Sequence, residues 1–224
     1  AANVPRLNYL TVGGNPFLLR EPQITNIFTS SEDVDSWSGR SNVSIVSNNL
    51  TSPSNILNAD TVVPSTSTSN HFIFNAFSSV INTSYSMSVF AKANGYNFIQ
   101  IVSDSTGFPT GNFFNVNLTT GAIGNATLTT ITDILIESLP NGWFKISFIN
   151  VASSTEASAR TIYAPLITDL ANRLPQYAGN GTSGVSLWGA STIISNAHYS
   201  YIPTTTAAVT RNADVITVAP PAGT

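Results

Sequence analysis

SYSMSVFA, residues 84–91, decides the fold class of this 224-residue chain. Tyr85, Met87 and Val89 alternate here with three serines. Successive side chains of a β-strand point to opposite faces of a sheet, so a period of two predicts a strand with one apolar face and one hydroxyl face.

Runs of the same kind recur along the chain between turn signals. They include YNFIQIV, NFFNVNL, WFKISFINV and ARTIYAPL, at spacings close to those of sandwich strands. Asn-Gly pairs at 94–95, 141–142 and 180–181 favour the positive φ angles of tight hairpin turns. We therefore expect an all-β protein built as an antiparallel β-sandwich.

Some predicted strands are apolar on both faces. In WFKISFI, residues 143–149, Trp143 and Ile149 occupy the face opposite Phe144, Ile146 and Phe148. Double-sided burial predicts central strands that are covered by long loops or by a partner subunit.

Two segments near the C-terminal end carry further structural predictions. Leu166, Ile167, Leu170 and Leu174 have helical spacing, so residues 165–174 form either a helix or an irregular loop. From residue 185 onward, Val, Leu and Gly alternate with Ser, Trp and Ala, which predicts a strand that cannot continue past Pro203.

The chain shows no internal repeat and no shift in composition. We expect one domain over residues 1–218, followed by a linker or tail over residues 219–224, where Pro and Gly are frequent.

Charge is scarce along the whole chain. Asp, Glu, Lys and Arg make up 8% of the residues, with a net charge of −3, against roughly 25% in ordinary soluble proteins. In their place stand 29 Ser, 27 Thr and 24 Asn. Nucleic-acid binding is not expected, because there is no cluster of cations to displace counterions.

Other classes of site and segment are also excluded by composition. The chain has no Cys, so it forms neither disulfides nor thiolate metal sites. No apolar run approaches the roughly 18 residues of a membrane span, so membrane insertion is not expected. The first ten residues lack the basic and apolar regions of a signal peptide.

Nine fragments occur in an order that resembles a known group of modules: EPQITN (21–26), Trp37, NADTV (58–62), SVFAKA (88–93), FNVNLTTG (114–121), NGWFKIS (141–147), LWGA (187–190), SYIPT (200–204) and AVTRNADV (208–215). The chain resembles a jelly-roll module, of the concanavalin-A-like or carbohydrate-binding-module-like kind, found in structural and tail proteins of tailed bacteriophages and prophages. The similarity extends from NVPRLNY (3–9) to Val215.

The resemblance implies a two-sheet jelly-roll sandwich within a larger virion protein, at the virion surface or outside the cell, engaging polysaccharide or cell-surface glycan. The sequence departs from the group at two places. Ser191, Thr192 and Ile193 stand where Gln-Leu-Glu is usual, and Ile24 stands where Arg is usual. These departures remove charges, so the resemblance does not carry over any ion pair or metal contact that the group makes at these positions.

Aromatic residues bind sugars because the apolar face of a pyranose stacks on a ring while amides and hydroxyls bond to the sugar hydroxyls. Trp37, Trp143 and Trp188 are expected to pack in the core. The candidate ligand-binding residues mix rings with amides, and each also has a purely structural interpretation: Tyr96, Asn97, Phe98, Gln100, Phe113, Asn115, Tyr163 and Tyr177.

The resemblance also implies a structural calcium ion, which requires hard oxygen ligands. The segment SSEDVDSW offers Glu32, Asp33 and Asp35 as candidates. The alternative interpretation of these three residues is a solvated turn.

Catalysis is not expected in this chain. No strand displays the acidic pair that glycosidases use, and the only histidines are His71 and His198. Three functions remain open: a glycan-recognition module, an architectural fibre or decoration domain that contacts sibling subunits, and a binding module appended to a polysaccharide-degrading enzyme.

Overall fold

The computed structural model describes residues 6–9, 16–104 and 106–215. These residues form sixteen strands and two short 3-10 turns, at Val34–Ser36 and Pro140–Gly142. The strands are β1 (Arg6–Tyr9), β2 (Pro16–Leu19), β3 (Ile24–Asn26), β4 (Gly39–Ser41), β5 (Val43–Thr51), β6 (Leu57–Pro64), β7 (Phe72–Ser79), β8 (Ser84–Asn94), β9 (Phe98–Ser103), β10 (Phe113–Asn117), β11 (Ile123–Thr127), β12 (Ile131–Ser138), β13 (Trp143–Val151), β14 (Glu156–Leu166), β15 (Gly184–Ile194) and β16 (Val209–Arg211).

Two six-stranded antiparallel sheets pack face to face. The first sheet has the order β12-β13-β8-β15-β6-β5, and the second has the order β11-β10-β9-β14-β7-β4. Two small sheets, β1-β2 and β3-β16, complete the described chain. The protein is an all-β, jelly-roll-like β-sandwich. The alternation of residues predicted the antiparallel sandwich, and the resemblance implied its jelly-roll form.

The interior between the sheets is mainly apolar. Tyr85, Met87 and Val89 of β8 are each 0% exposed, and they belong to one continuous core with Ile99 and Ile101 of β9. Burying side chains of this size stabilises the fold by about 1.5–3 kcal/mol each. The period of two in SYSMSVFA thus marks the strand whose apolar face fills the centre of the core.

A segment that we name the strap, residues 195–206, covers the outer face of the first sheet. Tyr201 of the strap packs its ring 5.7 Å from Phe90 and 5.0 Å from Trp188, measured between ring centroids. Asn26 fixes the strap by donating a hydrogen bond to the carbonyl of Ile202 at 2.8 Å. Double-sided burial of the central strands is therefore achieved by a loop of the same chain.

A second covering segment, the cross-loop, consists of residues 167–174 and lies on the outer face of the second sheet. It follows β14 directly and contains turns and irregular structure in place of a helix. Of the two alternatives that the sequence left open for residues 165–174, a helix or an irregular loop, the structure shows the irregular loop. Its spaced leucines serve other purposes: Leu174 packs on a small cluster with Val102 and Ile162, whereas Leu170 is 77% exposed.

Strand β15 contains a β-bulge that the simple alternation did not predict. Its register with β8 shifts between Trp188 and Ser191, and Gly189 has a φ of +63°. The extra residue turns Ala190 into the core beside Leu187, whereas Trp188 faces outward. The predicted placement of Ala190 on the Trp188 face was wrong because a bulge reverses the alternation beyond it.

The hairpin between β12 and β13 confirms one Asn-Gly prediction in detail. Asn141 and Gly142 have φ angles of +62° and +75°. Two consecutive positive φ angles match the twist of the paired strands, which is why this dipeptide favours tight hairpins.

The domain boundary predicted at residue 218, with its tail over 219–224, lies outside the described residues.

Among the residues that are described, no helix is long and apolar enough to cross a membrane.

Candidate functional site

Four loops meet at one end of the sandwich. We name this surface the loop end, and it consists of residues 64–70, 94–98, 117–122 and 175–184. Each loop follows or precedes a strand of the two large sheets, so the sandwich holds their bases in fixed positions.

Backbone hydrogen bonds join the four loops to one another. The amides of Gly179 and Gly181 donate to the carbonyls of Ser65 at 2.9 Å and Pro64 at 3.2 Å. Across the other side, the Leu118 amide donates to the Asn97 carbonyl at 2.8 Å. The loop end is therefore a connected surface instead of four independent loops.

Two glycines permit the close approach of these loops. A Cβ atom added to Gly184 would lie 2.2 Å from the carbonyl oxygen of Val62, and one added to Gly179 would lie 2.5 Å from that of Ser65. Any other residue would force the backbones apart. Glycine at these two positions is thus a requirement of the packing.

The loop end contains no charged residue. Its four segments read PSTSTSN, NGYNF, NLTTGA and PQYAGNGTSG, without Asp, Glu, Lys, Arg or His. The exposed side chains that offer hydroxyls or amides are Thr66, Ser67, Thr68, Asn97, Thr119, Thr120, Gln176, Asn180 and Thr182. The surface therefore presents hydrogen-bond donors and acceptors without an electrostatic preference for either sign of charge.

Tyr96 lies at the centre of this surface. Its ring is half-buried, 6.3 Å from the ring of Tyr177, and its hydroxyl accepts a hydrogen bond from the Asn180 amide at 3.2 Å. The Asn180 side chain in turn accepts from the amides of Thr182 and Ser183 at 3.0 and 2.8 Å. Tyr96 is thus held in place by a loop whose conformation is fixed by hydrogen bonds to the Asn180 side chain.

Tyr177 anchors the same loop to the sandwich. It is 8% exposed, and its hydroxyl donates to the carbonyl of Pro165 at 2.6 Å. Burial, with a smaller contribution from the Tyr96 phenol, raises the pKa of Tyr177 well above its ordinary value. This hydroxyl remains a neutral donor throughout the physiological range.

His71 lies directly beneath the loop end. It is 2% exposed and packs edge-on against Tyr177, with the ring centroids 4.6 Å apart. Its Nδ1 lies 2.7 Å from the carbonyl oxygen of Asn42, and its Nε2 lies 2.7 Å from that of Tyr177. The imidazole therefore joins β7 to the start of β5 and to the loop above it.

The predicted ligand-binding residues fall into three places. Tyr96, Asn97 and Tyr177 come together at the loop end, and half-buried Phe98 is the last residue of its 94–98 segment, where β9 begins. Gln100, Asn115 and Phe113 lie under the cross-loop, where Gln100 and Asn115 are 0% exposed and Phe113 is 5% exposed.

Gln100 and Asn115 use their amides within the protein. Asn115 donates to the carbonyls of Asp169 at 2.9 Å and Ala171 at 2.7 Å, and it accepts from Gln100 at 2.7 Å. Gln100 also accepts from the Leu174 amide at 2.6 Å. These amides hold the cross-loop on the second sheet, and a ligand on the surface does not reach them.

Tyr163 lies in the core between the two sheets. It is 1% exposed, and its ring centroid is 5.3 Å from that of Trp37. Complete burial raises the pKa of its phenol. Trp37, Trp143 and Trp188 are 5%, 1% and 5% exposed, so all three tryptophans pack inside the protein as expected.

The three acidic residues proposed for calcium do not converge. Asp35 forms an ion pair with Arg40 at 2.7 Å, Asp33 accepts from Ser36, and Glu32 accepts from Asn58 at 3.1 Å. No group of three or more His, Asp or Glu side chains that could hold a metal ion occurs within the described part of the chain. The structure does not assemble the calcium site suggested by the sequence, because each carboxylate faces a separate partner.

The second histidine lies in an arrangement of Ser, His and Asp at the strap. His198 Nδ1 is 3.0 Å from Ser86 Oγ, and its Nε2 is 2.8 Å from the carbonyl oxygen of Asp133. Ser86 is 5% exposed and lies on the sheet face beneath the strap. The three residues fasten the strap to β8 and to the bulge of β12.

Sequence reasoning missed several residues of the loop end. In the sequence, Asn180 is only part of a turn signal, and the polar residues 64–70 contain no aromatic ring that would mark them. The signal that identifies the surface is the shared absence of charge in four separate segments, but their meeting in space depends on strand order.

Comparison with known proteins adds no assignment. No protein-family model matches the chain, and no curated protein matches it in sequence. The resemblance to phage modules therefore remains a prediction.

Proposed function

We propose that the protein is a non-enzymatic module that recognises neutral polysaccharide or cell-surface glycan through the loop end. The observation that carries the proposal is the loop end itself: four contacting loops, free of charged residues, with exposed amides and hydroxyls around the half-buried Tyr96.

The chemistry of the surface suits a sugar. Each sugar hydroxyl both donates and accepts hydrogen bonds, as do the hydroxyls of Thr66, Thr68 and Thr182 and the amides of Asn97 and Gln176. The Tyr96 ring adds apolar area on which a pyranose face can lie. A rigid, pre-formed surface loses little entropy when it binds.

The absence of charge selects among polysaccharides. An acidic polysaccharide is attracted to Lys and Arg, and the loop end has neither. A neutral polysaccharide does not depend on charged side chains for its binding. It competes only with water for the amides and hydroxyls of the loop end. We therefore expect the ligand to be an uncharged glycan.

Affinity electrophoresis tests the proposal directly. The protein should be retarded in gels that contain a neutral polysaccharide and should migrate freely through gels that contain an acidic one. Replacing both Asn97 and Gln176 by Ala removes two exposed amides, and we expect binding to weaken about thirtyfold, since each net hydrogen bond contributes on the order of 1 kcal/mol.

Asn196→Ala is the matched control, because Asn196 is an exposed amide on the strap. It should bind as the wild type does. The proposal is contradicted if no neutral polysaccharide retards the protein, or if the double variant and the control bind equally well.

A second candidate is an architectural domain of a virion that contacts sibling subunits. It is favoured by Ile56 and Leu57, adjacent residues at the β5–β6 turn that are 59% and 62% exposed. Sedimentation separates the two candidates: an assembly that dissociates in Leu57→Ser supports architecture, and a monomer at all concentrations supports recognition alone.

A further inference from the structure

Within the part of the chain that the structure describes, the ring of His71 faces two hydrogen-bond acceptors and no donor. Both oxygen atoms, on Asn42 and Tyr177, are backbone carbonyls, and each lies 2.7 Å from a ring nitrogen. A carbonyl oxygen can only accept a hydrogen bond, so each nitrogen must carry a proton to bond with it.

Only the charged ring meets this requirement. A neutral imidazole has one N–H, and its other nitrogen is itself an acceptor. At 2.7 Å, that nitrogen would face a carbonyl lone pair, in a site that is 2% exposed to water. The imidazolium form instead makes two charge-assisted hydrogen bonds, which are stronger than neutral ones.

The surroundings leave His71 as the group that responds to pH here. Segments 41–43, 64–70, 72–73 and 175–184, which enclose the ring, contain no Asp, Glu, Lys or Arg. The titratable group against the ring is the Tyr177 phenol, whose pKa burial raises.

The nearest charges along the chain are engaged elsewhere. Arg40 pairs with Asp35, and Arg173, which precedes Leu174 in the cross-loop, lies 3.9 Å from Asp104. Neither ion pair includes His71.

We propose that His71 is a pH-sensitive latch for the loop end. With both nitrogens protonated, it ties residues 175–184 to β5 and β7 through the carbonyls of Tyr177 and Asn42. When the ring loses a proton, one of the two bonds is lost and the 175–184 loop opens more often. The consequence for ligand binding rests on the proposed function.

Hydrogen exchange at the amides of Gly179 and Gly181 tests the latch without any ligand. These amides bond to the 64–70 loop and become exchangeable when the two loops separate. We expect their protection factors, corrected for the intrinsic effect of pH, to fall about tenfold between about pH 5 and about pH 8, where imidazoles change charge. A protection factor that stays constant across this range overturns the latch.

Two histidine variants identify the responsible group. His71→Gln stays neutral at every pH, so its protection factors should be low and independent of pH. His198→Gln, on the strap, should retain the response of the wild type. A response that survives in His71→Gln, or that disappears in His198→Gln, contradicts the assignment.

Nitrogen NMR of the wild-type ring decides the matter if His71→Gln does not fold. At a pH where the Gly179 and Gly181 amides are fully protected, both ring nitrogens should be protonated and hydrogen-bonded. A ring that is already neutral at that pH rules the latch out.

Polysaccharide binding at the same two pH values separates the latch from the function. Affinity for a neutral polysaccharide should be about tenfold weaker at the higher pH. Equal affinity at both pH values, with pH-dependent exchange intact, overturns the coupling. Absence of binding at both pH values contradicts the proposed function. The hydrogen-exchange result alone then shows whether His71 acts as a latch.

Discussion

The two sheets of the sandwich are both covered on their outer faces, but by different chemistry. On the first sheet, the strap packs aromatic rings together, with Phe90, Trp188 and Tyr201 centred 5.0–5.7 Å apart. On the second sheet, Gln100 and Asn115 bind the backbone of the cross-loop through side-chain amides.

The difference shows two ways to close a β-sandwich that has few charges. Ring packing gains free energy from the apolar area it buries and tolerates small shifts in position. Amide pairing gains less, but it demands a partner for every buried donor and acceptor and so fixes the loop in one register. We therefore expect the strap to dominate stability and the amides to dominate the position of the cross-loop.

Trp188→Ala should have the largest effect. The side chain is 5% exposed within a ring cluster that the surrounding strands cannot refill, so we expect a loss of about 3–5 kcal/mol in the free energy of unfolding. Chemical denaturation measures it. Leu170→Ala, at a cross-loop residue that is 77% exposed, should change stability very little. Equal losses in the two variants would show that the strap does not dominate.

Asn115→Ala should have an intermediate effect. It removes the bonds to Asp169, Ala171 and Gln100, although both carbonyls retain bonds from Asn125 and Gln100 retains the carbonyl of Asn172. Because each neighbour keeps one partner, we expect a loss of about 2 kcal/mol.

Hydrogen exchange should also show which segment loses stability in Asn115→Ala. Amide protection should fall over residues 167–174 and remain unchanged in the strap. Leu170→Ala, at a position of the same loop that is 77% exposed, is the control and should leave both segments as they are. A loss of protection in the strap as well would mean that the two coverings are not independent.

The fold was predictable because it depends on local alternation. Tyr85, Met87 and Val89 mark the central strand β8 on their own, and Asn141-Gly142 fixes the hairpin between β12 and β13 through backbone geometry. The bulge at Gly189 was not predictable, because it depends on the Phe90 ring, into which a Cβ on residue 189 would project at 2.8 Å. Local patterns do not encode such contacts between strands.

The candidate site was only partly predictable for a related reason. Mixing rings with amides selected Tyr96 and Asn97 at the loop end, but it selected Gln100 and Asn115 equally, because a sequence does not show which amides a distant loop will cover. His71 opened an alternating run and gave no sign of the two carbonyls it meets from residues 42 and 177.

Two buried serines offer the smallest and sharpest comparison between polar groups that have a partner and those that lack one. Ser147, on the outer face of the first sheet, is 1% exposed, and its Oγ has no hydrogen-bond partner among the described residues. Ser103 of the second sheet is 0% exposed and accepts from Asn150 at 2.6 Å. Ser147→Ala should therefore be neutral or slightly stabilising, whereas Ser103→Ala should cost about 1 kcal/mol or more, because it leaves a buried donor unpaired. Denaturation of both variants measures the difference. If Ser147→Ala proves the more destabilising of the two, its hydroxyl contributes to holding the strap, and the first sheet is closed by polar bonds as well as by rings.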